Sequence, residues 1–184
     1  MGRDDELRRI TVGEPARLDG PVLLVDHRPE WPALYAREEA RIRRALGDRA
    51  LLVEHVGSTS VPGLAAKPIV DVLLTVADSA DEPAYLPALV AAGYSVRLRE
   101  PDWFEHRMLK GPDTDINLHV FGDACPEVER MLRFRDHLRR DAGDRELYER
   151  TKRELARREW KYVQHYADAK SDVVEDILRR ANAE

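Results

Sequence analysis

The 184-residue chain contains a single cysteine, Cys125, so no disulfide can close within it and no cage of thiolates can hold a metal. Any metal site must be built from carboxylates and imidazoles, and six histidines are available. No apolar run approaches the ~20 residues that span a membrane. The first ten residues, MGRDDELRRI, are charged where a signal peptide is apolar. A soluble, cytoplasmic protein without membrane contact is expected. Excess positive charge is also lacking: 30 Lys and Arg stand against 35 Asp and Glu, a net −5. This balance argues against a dedicated nucleic-acid binder, whose affinity comes from cations facing phosphates. Internal repeats and low-complexity stretches are missing as well.

A chain of this length suits one domain, or a core domain with an appendage, that buries about 70% of its unfolded surface. Charge divides the chain. Residues 126–184 carry 15 Lys and Arg with 14 Asp and Glu, leaving 15 and 21 for residues 1–125. The reading is an N-terminal arm over 1–20, then a single domain over 21–184. Its α/β core covers 21–125 and its layer of amphipathic helices with salt-bridged outer faces covers 126–184.

Within the core, Pro29 and Pro32 open a helix that runs to about Leu46, since proline fits a first turn. Strands are expected over 50–56 and 68–76, joined by a Gly, Ser, Thr and Pro-rich loop from Gly57 to Lys67. The second strand, PIVDVLLTV, is nearly continuously apolar and suits a strand covered on both faces. A helix follows over 82–92, then strands over 94–99 and 103–110. Residues 115–121 alternate, with Asp115, Asn117 and His119 on one side and Ile116, Leu118 and Val120 on the other. Helices are expected over 126–140, 144–158 and 160–182, with Gly143 at the first break.

Chemistry concentrates between Val53 and Leu74. There a strand, a Gly-Ser turn and a second strand carrying Asp71 follow one another. Gly57 lets backbone approach a ligand, and Ser58, Thr59 and Ser60 offer N–H and hydroxyl groups to an anion. Asp71 interrupts an apolar strand, where an unpaired carboxylate is costly to desolvate. In the helical third, Arg135 falls on the stripe of Val128, Met131, Leu132 and Leu138. Lys170 falls on that of Val163, Ala167, Val174, Ile177 and Ala181. Lys152 lies four residues after Tyr148. An inward cation needs an anion, supplied either by an internal carboxylate such as Asp71 or Asp136 or by a ligand. Tyr148, Tyr162 and Tyr166 either stack on a planar group or are plain core aromatics.

The run His55-Val56-Gly57-Ser58-Thr59-Ser60-Val61-Pro62-Gly63-Leu64, continued by Ala66-Lys67-Pro68 and Asp71, resembles the signature of the GrpB (UPF0157) family. Further matching pieces are Arg28-Pro29-Glu30-Trp31-Pro32, Leu118-His119-Val120, Phe134-Arg135-Asp136-His137-Leu138, Tyr148 with Lys152, and Lys170. The resemblance covers about residues 22–182. It implies a nucleotidyltransferase-like α+β fold: a small mixed β-sheet with flanking helices and a C-terminal helical layer. It also implies that the Gly-Ser turn and strand carboxylates bind a divalent metal, Mg or Mn, and a nucleoside triphosphate, and that Lys67 neutralises a phosphate or carboxylate.

The chain departs from the wider superfamily pattern in one respect. The second acid, two residues after the first, is replaced by Leu73, and no clear third acid follows. Transfer by two metals needs several carboxylates holding ions ~3.5–4 Å apart. Two expectations result. In the first, Asp71, His119 and His55 hold the metal, which a transition ion suits because of the imidazoles. Asp71, His119 and Lys67 act in catalysis, and Gly57, Ser58, Thr59, Ser60, Arg135, Tyr148, Lys152, Tyr166 and Lys170 surround a nucleotide or other small anionic substrate. In the second, the same site binds a ligand without catalysis, on a degenerate nucleotidyltransferase fold.

Overall fold

A computed structural model describes residues 2–18 and 20–183. Its centre is one mixed sheet of five strands: β1 (Leu52–Val56), β2 (Val70–Val76), β3 (Ser95–Glu100), β4 (His106–Lys110) and β5 (Ile116–Gly122). They lie in the order β1-β2-β5-β4-β3. The β2–β5 pair is parallel and the other three pairs are antiparallel. The sheet is flanked on both faces by helices, the α+β arrangement expected.

The strand sequences explain why both faces are covered. Val70, Val72, Leu74 and Val76 of β2 point to one side with Ile116, Leu118 and Val120 of β5. Against them pack Trp31, Ile42 and Leu46 of α2 (Trp31–Leu46) and Tyr85 and Leu89 of α3 (Glu82–Ala91). On the opposite side Leu73, Val56 and Phe121 meet Val128, Met131 and Leu132 of α4 (Pro126–Arg140). That second apolar contact is small, and most of the remaining face over β5 and β4 is polar. A further cluster ties the Gly57–Lys67 loop to the helical layer through Val61, Leu64, Leu138, Tyr148 and Ile177. The layer is completed by α5 (Ala142–Ala156), α6 (Val163–Asp168) and α7 (Ser171–Ala181).

Four elements differ from the sequence reading. Residues 103–105 belong to a turn, in which Phe104 and Glu105 have φ of 54° and 50°, so β4 starts at His106. The break after α4 falls at Asp141, whose carboxylate accepts a hydrogen bond from the Asp144 amide (2.7 Å) and caps α5, while Gly143 sits in the first turn. The last long helix is interrupted at Ala169 and Lys170, which separate α6 from α7. Lys170 is therefore at a corner and not on a helical stripe. The N-terminal arm carries a helix of its own, α1 (Arg3–Ile10), joined to β3 by the Val12 amide on the Arg97 carbonyl.

Candidate functional site

Register across the polar face brings four strands to one point. Asp71 pairs with Asn117 and Leu73 with His119 across β2–β5, His119 pairs with Met108 across β4–β5, and His106 pairs with Glu100 across β3–β4. Asn117 Nδ2 donates to Asp71 Oδ1 (3.0 Å), leaving Asn117 Oδ1 buried and without a partner among the described residues. His119 Nε2 stands 3.4 Å from the same Asp71 oxygen. The other nitrogen of that ring, Nδ1, is 3.1 Å from His106 Nε2, and His106 Nδ1 is 2.6 Å from Glu100 Oε2. A continuous chain therefore runs Asp71–His119–His106–Glu100. Burial opposes ionisation of Asp71, but the bonds from His119 and Asn117 and the charge of Lys67 outweigh it and hold the carboxyl below its ordinary range. Burial pushes His106 down to about 4 despite the Glu100 hydrogen bond.

Gly57 explains how the turn reaches this carboxylate. Its φ is +69°, and a Cβ there would collide with Asp71 Oδ2. The following single turn of 3₁₀-helix, Ser58–Ser60, spends two of its three hydroxyls internally. Ser60 Oγ donates to the Gly57 carbonyl (2.6 Å), and Thr59 Oγ1 bonds His55 Nε2 (3.0 Å). Ser58 Oγ instead takes a hydrogen bond from Lys152 Nζ (3.0 Å), which also donates to the Ala65 carbonyl.

The Asp71 and Ser58 ends open into one cavity of about 900 Å³, walled by the sheet, the Gly57–Lys67 loop and the α5–α7 layer. Lys67, Lys152 and Lys170 line it. Lys67 and Lys170 sit 5.6 and 4.9 Å from the centre of the Tyr166 ring, and Lys152 lies 4.8 Å from that of Tyr148. Among the described residues no carboxylate lies within 4.0 Å of any of the three ammonium groups. Burial lowers the pKa of all three, and Lys170 adds repulsion at Lys67 and at Lys152, which falls to about 7. Such a cluster is poor for stability and well arranged for an anion.

Three expected site residues sit elsewhere. His55 belongs to β1 and pairs with Val72, which places it on the face opposite Asp71. It is buried there, stacked on Tyr35 (ring centres 4.9 Å apart) and tied through Nε2 to Thr59, so its position keeps it from joining Asp71 and His119 as a ligand. Arg135 does point inward, but to Glu54 Oε2 (2.7 Å), Asp136 Oδ1 (2.8 Å) and the His55 carbonyl (3.0 Å). It balances internal acids outside the cavity wall. Tyr148 lies beneath Lys152 in the core, its hydroxyl pushed up to about 12 by burial, whereas Tyr166 lines the cavity.

Sequence reasoning missed His106 and Glu100. The alternation of His106, Met108 and Lys110 carried the signal, but a strand drawn from Trp103 left its face unassigned. A second group, His137, Asp141 and Asp144, has ligand-capable atoms within 4.8 Å of one another. There Arg180 clamps Asp144 through Nε (3.0 Å), His137 Nε2 contacts Asp144 Oδ2 (2.8 Å) and Asp141 caps α5, so internal bonds account for the group.

The model of the GrpB family, "GrpB protein", matches residues 21–180. The chain belongs to the GrpB family. UPF0157 protein BH1888 of Halalkalibacterium halodurans is 60% identical over 180 residues, covering 98% of this chain and 92% of the relative. The crystal structure of conserved protein GrpB from Enterococcus faecalis superposes with a TM-score of 0.75 at 28% identity, over 86% of this chain and 96% of that one. The Cid1 poly(U) polymerase mutant bound to MgATP shares 9% identity over 70% of this chain and 45% of its own, with a TM-score of 0.43. Among the described residues, no helix of this GrpB chain is long and apolar enough to cross a membrane.

Proposed function

We propose that the cavity binds a small phosphate-bearing molecule, a nucleotide in the first instance, together with one divalent cation. The observation that carries this reading is the convergence of Lys67, Lys152 and Lys170 on one cavity without a carboxylate partner. A phosphate placed among them takes hydrogen bonds from the three ammonium groups and from Ser58 Oγ, next to backbone that Gly57 brings close. Tyr166 supplies a ring face at the same end.

Asp71 and His119 fit one cation, because the carboxylate and the imidazole nitrogen converge within 3.4 Å. They do not fit a pair of magnesium ions, because the next position on that face of the strand, Leu73, is a fully buried apolar residue. A bound cation supplies charge neutralisation at a phosphoryl oxygen. The chain's own groups hold the anion, orient it and exclude water around it. In a transfer reaction the three lysines would also stabilise charge that develops on the phosphoryl oxygens.

Leu73 favours a second reading, in which this GrpB chain binds the ligand without turning it over. Calorimetry with ATP, GTP, CTP and UTP, with and without Mn²⁺, separates the possibilities. Binding that weakens at least about tenfold in Lys67→Met and Lys170→Met supports the anion site. Lack of binding by all four nucleotides removes the nucleotide reading. Binding retained in Asp71→Asn, with no product formed by either protein, leaves the non-catalytic module.

A further inference from the structure

A second aromatic surface lines the cavity away from the lysines. Trp103, in the turn between β3 and β4, forms part of the cavity wall and is 40% exposed, whereas Tyr166 at the lysine end is 1% exposed with Lys67 and Lys170 over its ring. Trp103 and its neighbour Phe104 are the exposed Phe, Tyr or Trp rings among the described residues. The backbone that presents them is strained. Phe104 and Glu105 have φ of 54° and 50°, left-handed conformations that cost a non-glycine residue energy and persist where the surroundings fix them. The turn is closed by the Trp103 amide on the Glu100 carbonyl and the His106 amide on the Trp103 carbonyl, both 3.1 Å. Buried Arg107 donates to the Glu105 carbonyl (2.9 Å) and is anchored on Glu82 of α3 (2.6 Å). His106 and Phe121 brace the indole in edge-to-face contacts, their ring centres 5.1 and 5.6 Å away. Phe121 lies four residues beyond Asn117, the partner of Asp71, about 13 Å along β5. An extended nucleoside triphosphate reaches across such a span.

We infer that Trp103 is the stacking platform for the planar ring of the ligand, the base of a nucleoside triphosphate whose phosphates lie among Lys67, Lys152 and Lys170. The inference rests on the anion site proposed above and deepens it by assigning the other end of the ligand. Leu98, Met108 and Phe121 add apolar surface to the same wall, in contrast to the lysine wall. The strained turn holds the indole at the cavity, and its bonds to Arg107 keep it there in the absence of ligand. Stacking tolerates any base, because every base has a π-face, so this platform selects for a ring and not for one nucleotide among the four.

The test uses the full chain with Mn²⁺ and compares, by calorimetry, ATP with methyl triphosphate, which carries the same phosphates without a ring. ATP should bind at least about tenfold tighter. Trp103→Leu should lower ATP affinity at least about tenfold and leave that for methyl triphosphate within about twofold, whereas Trp103→Phe keeps a ring and should keep most of the ATP affinity. ATP should also quench tryptophan fluorescence in the wild-type protein, and Trp103→Phe should abolish that quenching. The fluorescence and the comparison of the two compounds stand even if Trp103→Leu fails to fold. If the wild-type protein binds neither compound, the anion site itself is wrong and the inference falls with it. Methyl triphosphate bound as tightly as ATP overturns the platform and leaves the anion site standing. So do equal changes for both compounds in Trp103→Leu, or quenching that survives in Trp103→Phe.

Discussion

Leu73 and His119 stand opposite one another across the parallel β2–β5 ladder, two residues beyond the Asp71–Asn117 pair and on the same face. Where a second carboxylate would hold a second metal, the chain places a fully buried leucine against Val56, Phe121 and α4. Its partner strand offers the imidazole instead. The pairing makes this a one-carboxylate site by construction, because the position that would complete it is committed to the core.

Restoring the missing acid should therefore fail. Leu73→Asp removes a buried side chain and desolvates a carboxylate in its place. It should cost at least about 3 kcal/mol in urea unfolding and raise no second equivalent of bound metal. A stable variant that binds two ions would show that the cluster over Leu73 can open.

Arg135 gives a contrasting outcome. Its guanidinium bridges Glu54, Asp136 and the His55 carbonyl, away from the cavity. Arg135→Met should lower unfolding free energy by about 1–3 kcal/mol while anion affinity stays within about twofold of wild type. A large loss of affinity with intact stability would place Arg135 at the ligand.

These two residues also mark what the sequence could convey. Period-two alternation placed Asp71 and His119 on faces of their strands, and apolar continuity identified β2 as central, because burial on both faces leaves a direct compositional trace. Helical periodicity put Arg135 on an inward stripe, and its side chain does turn inward. It could not tell that Arg135 meets Glu54 while the lysines meet no acid, since ion pairing depends on strand order. His55 shows the same limit. It sits two residues before Gly57 and close to Asp71 along the chain, yet antiparallel pairing with Val72 sends it to the far face. Lys170 reached the cavity for a reason periodicity did not contain, a corner between α6 and α7.

Lys152 should make the proposed anion binding pH-dependent. Burial first, and Lys170 second, lower its ammonium to about 7 from 10.5. Between those values the unfolded chain holds a proton that the folded protein has released, so stability rises with pH through this window. The destabilising contribution is complete below pH 7 and gone above 10.5. Anion binding favours the protonated amine. Sulfate, which does not titrate in this range, should bind progressively more weakly above pH 7, by at most about tenfold per pH unit for one linked proton. Calorimetry in buffers of different ionisation enthalpy should show proton uptake, and Lys152→Met should remove much of the slope. A pH-independent affinity would mean that Lys152 does not meet the anion.

Lys170 should show stability and binding pulling in opposite directions. It repels Lys67 and Lys152 and has no acid within ion-pair distance among the described residues. Lys170→Met should raise the unfolding free energy of the ligand-free protein by about 0.5–2 kcal/mol and weaken sulfate binding about tenfold. Thermal melts with and without sulfate test both at once. A variant that is both less stable and equally competent to bind would show that Lys170 serves packing on Tyr166 instead.

Gly57 couples the two ends of the site, and its replacement separates packing from function. The residue has φ of +69°, and a methyl group there would strike the Asp71 carboxylate. Gly57→Ala must adopt a conformation costly for an L-residue and also displace Asp71 from Asn117 and His119. The strain should cost about 1–3 kcal/mol of stability. Mn²⁺ affinity should fall more steeply than sulfate affinity, because Asp71 takes the collision while Ser58 and the lysines lie further away. Equal losses of both would mean that the whole Ser58–Ser60 turn has moved. A stable Gly57→Ala protein with unchanged Mn²⁺ affinity would show that the turn can retreat from Asp71, and that its close approach is not what sets the carboxylate in place.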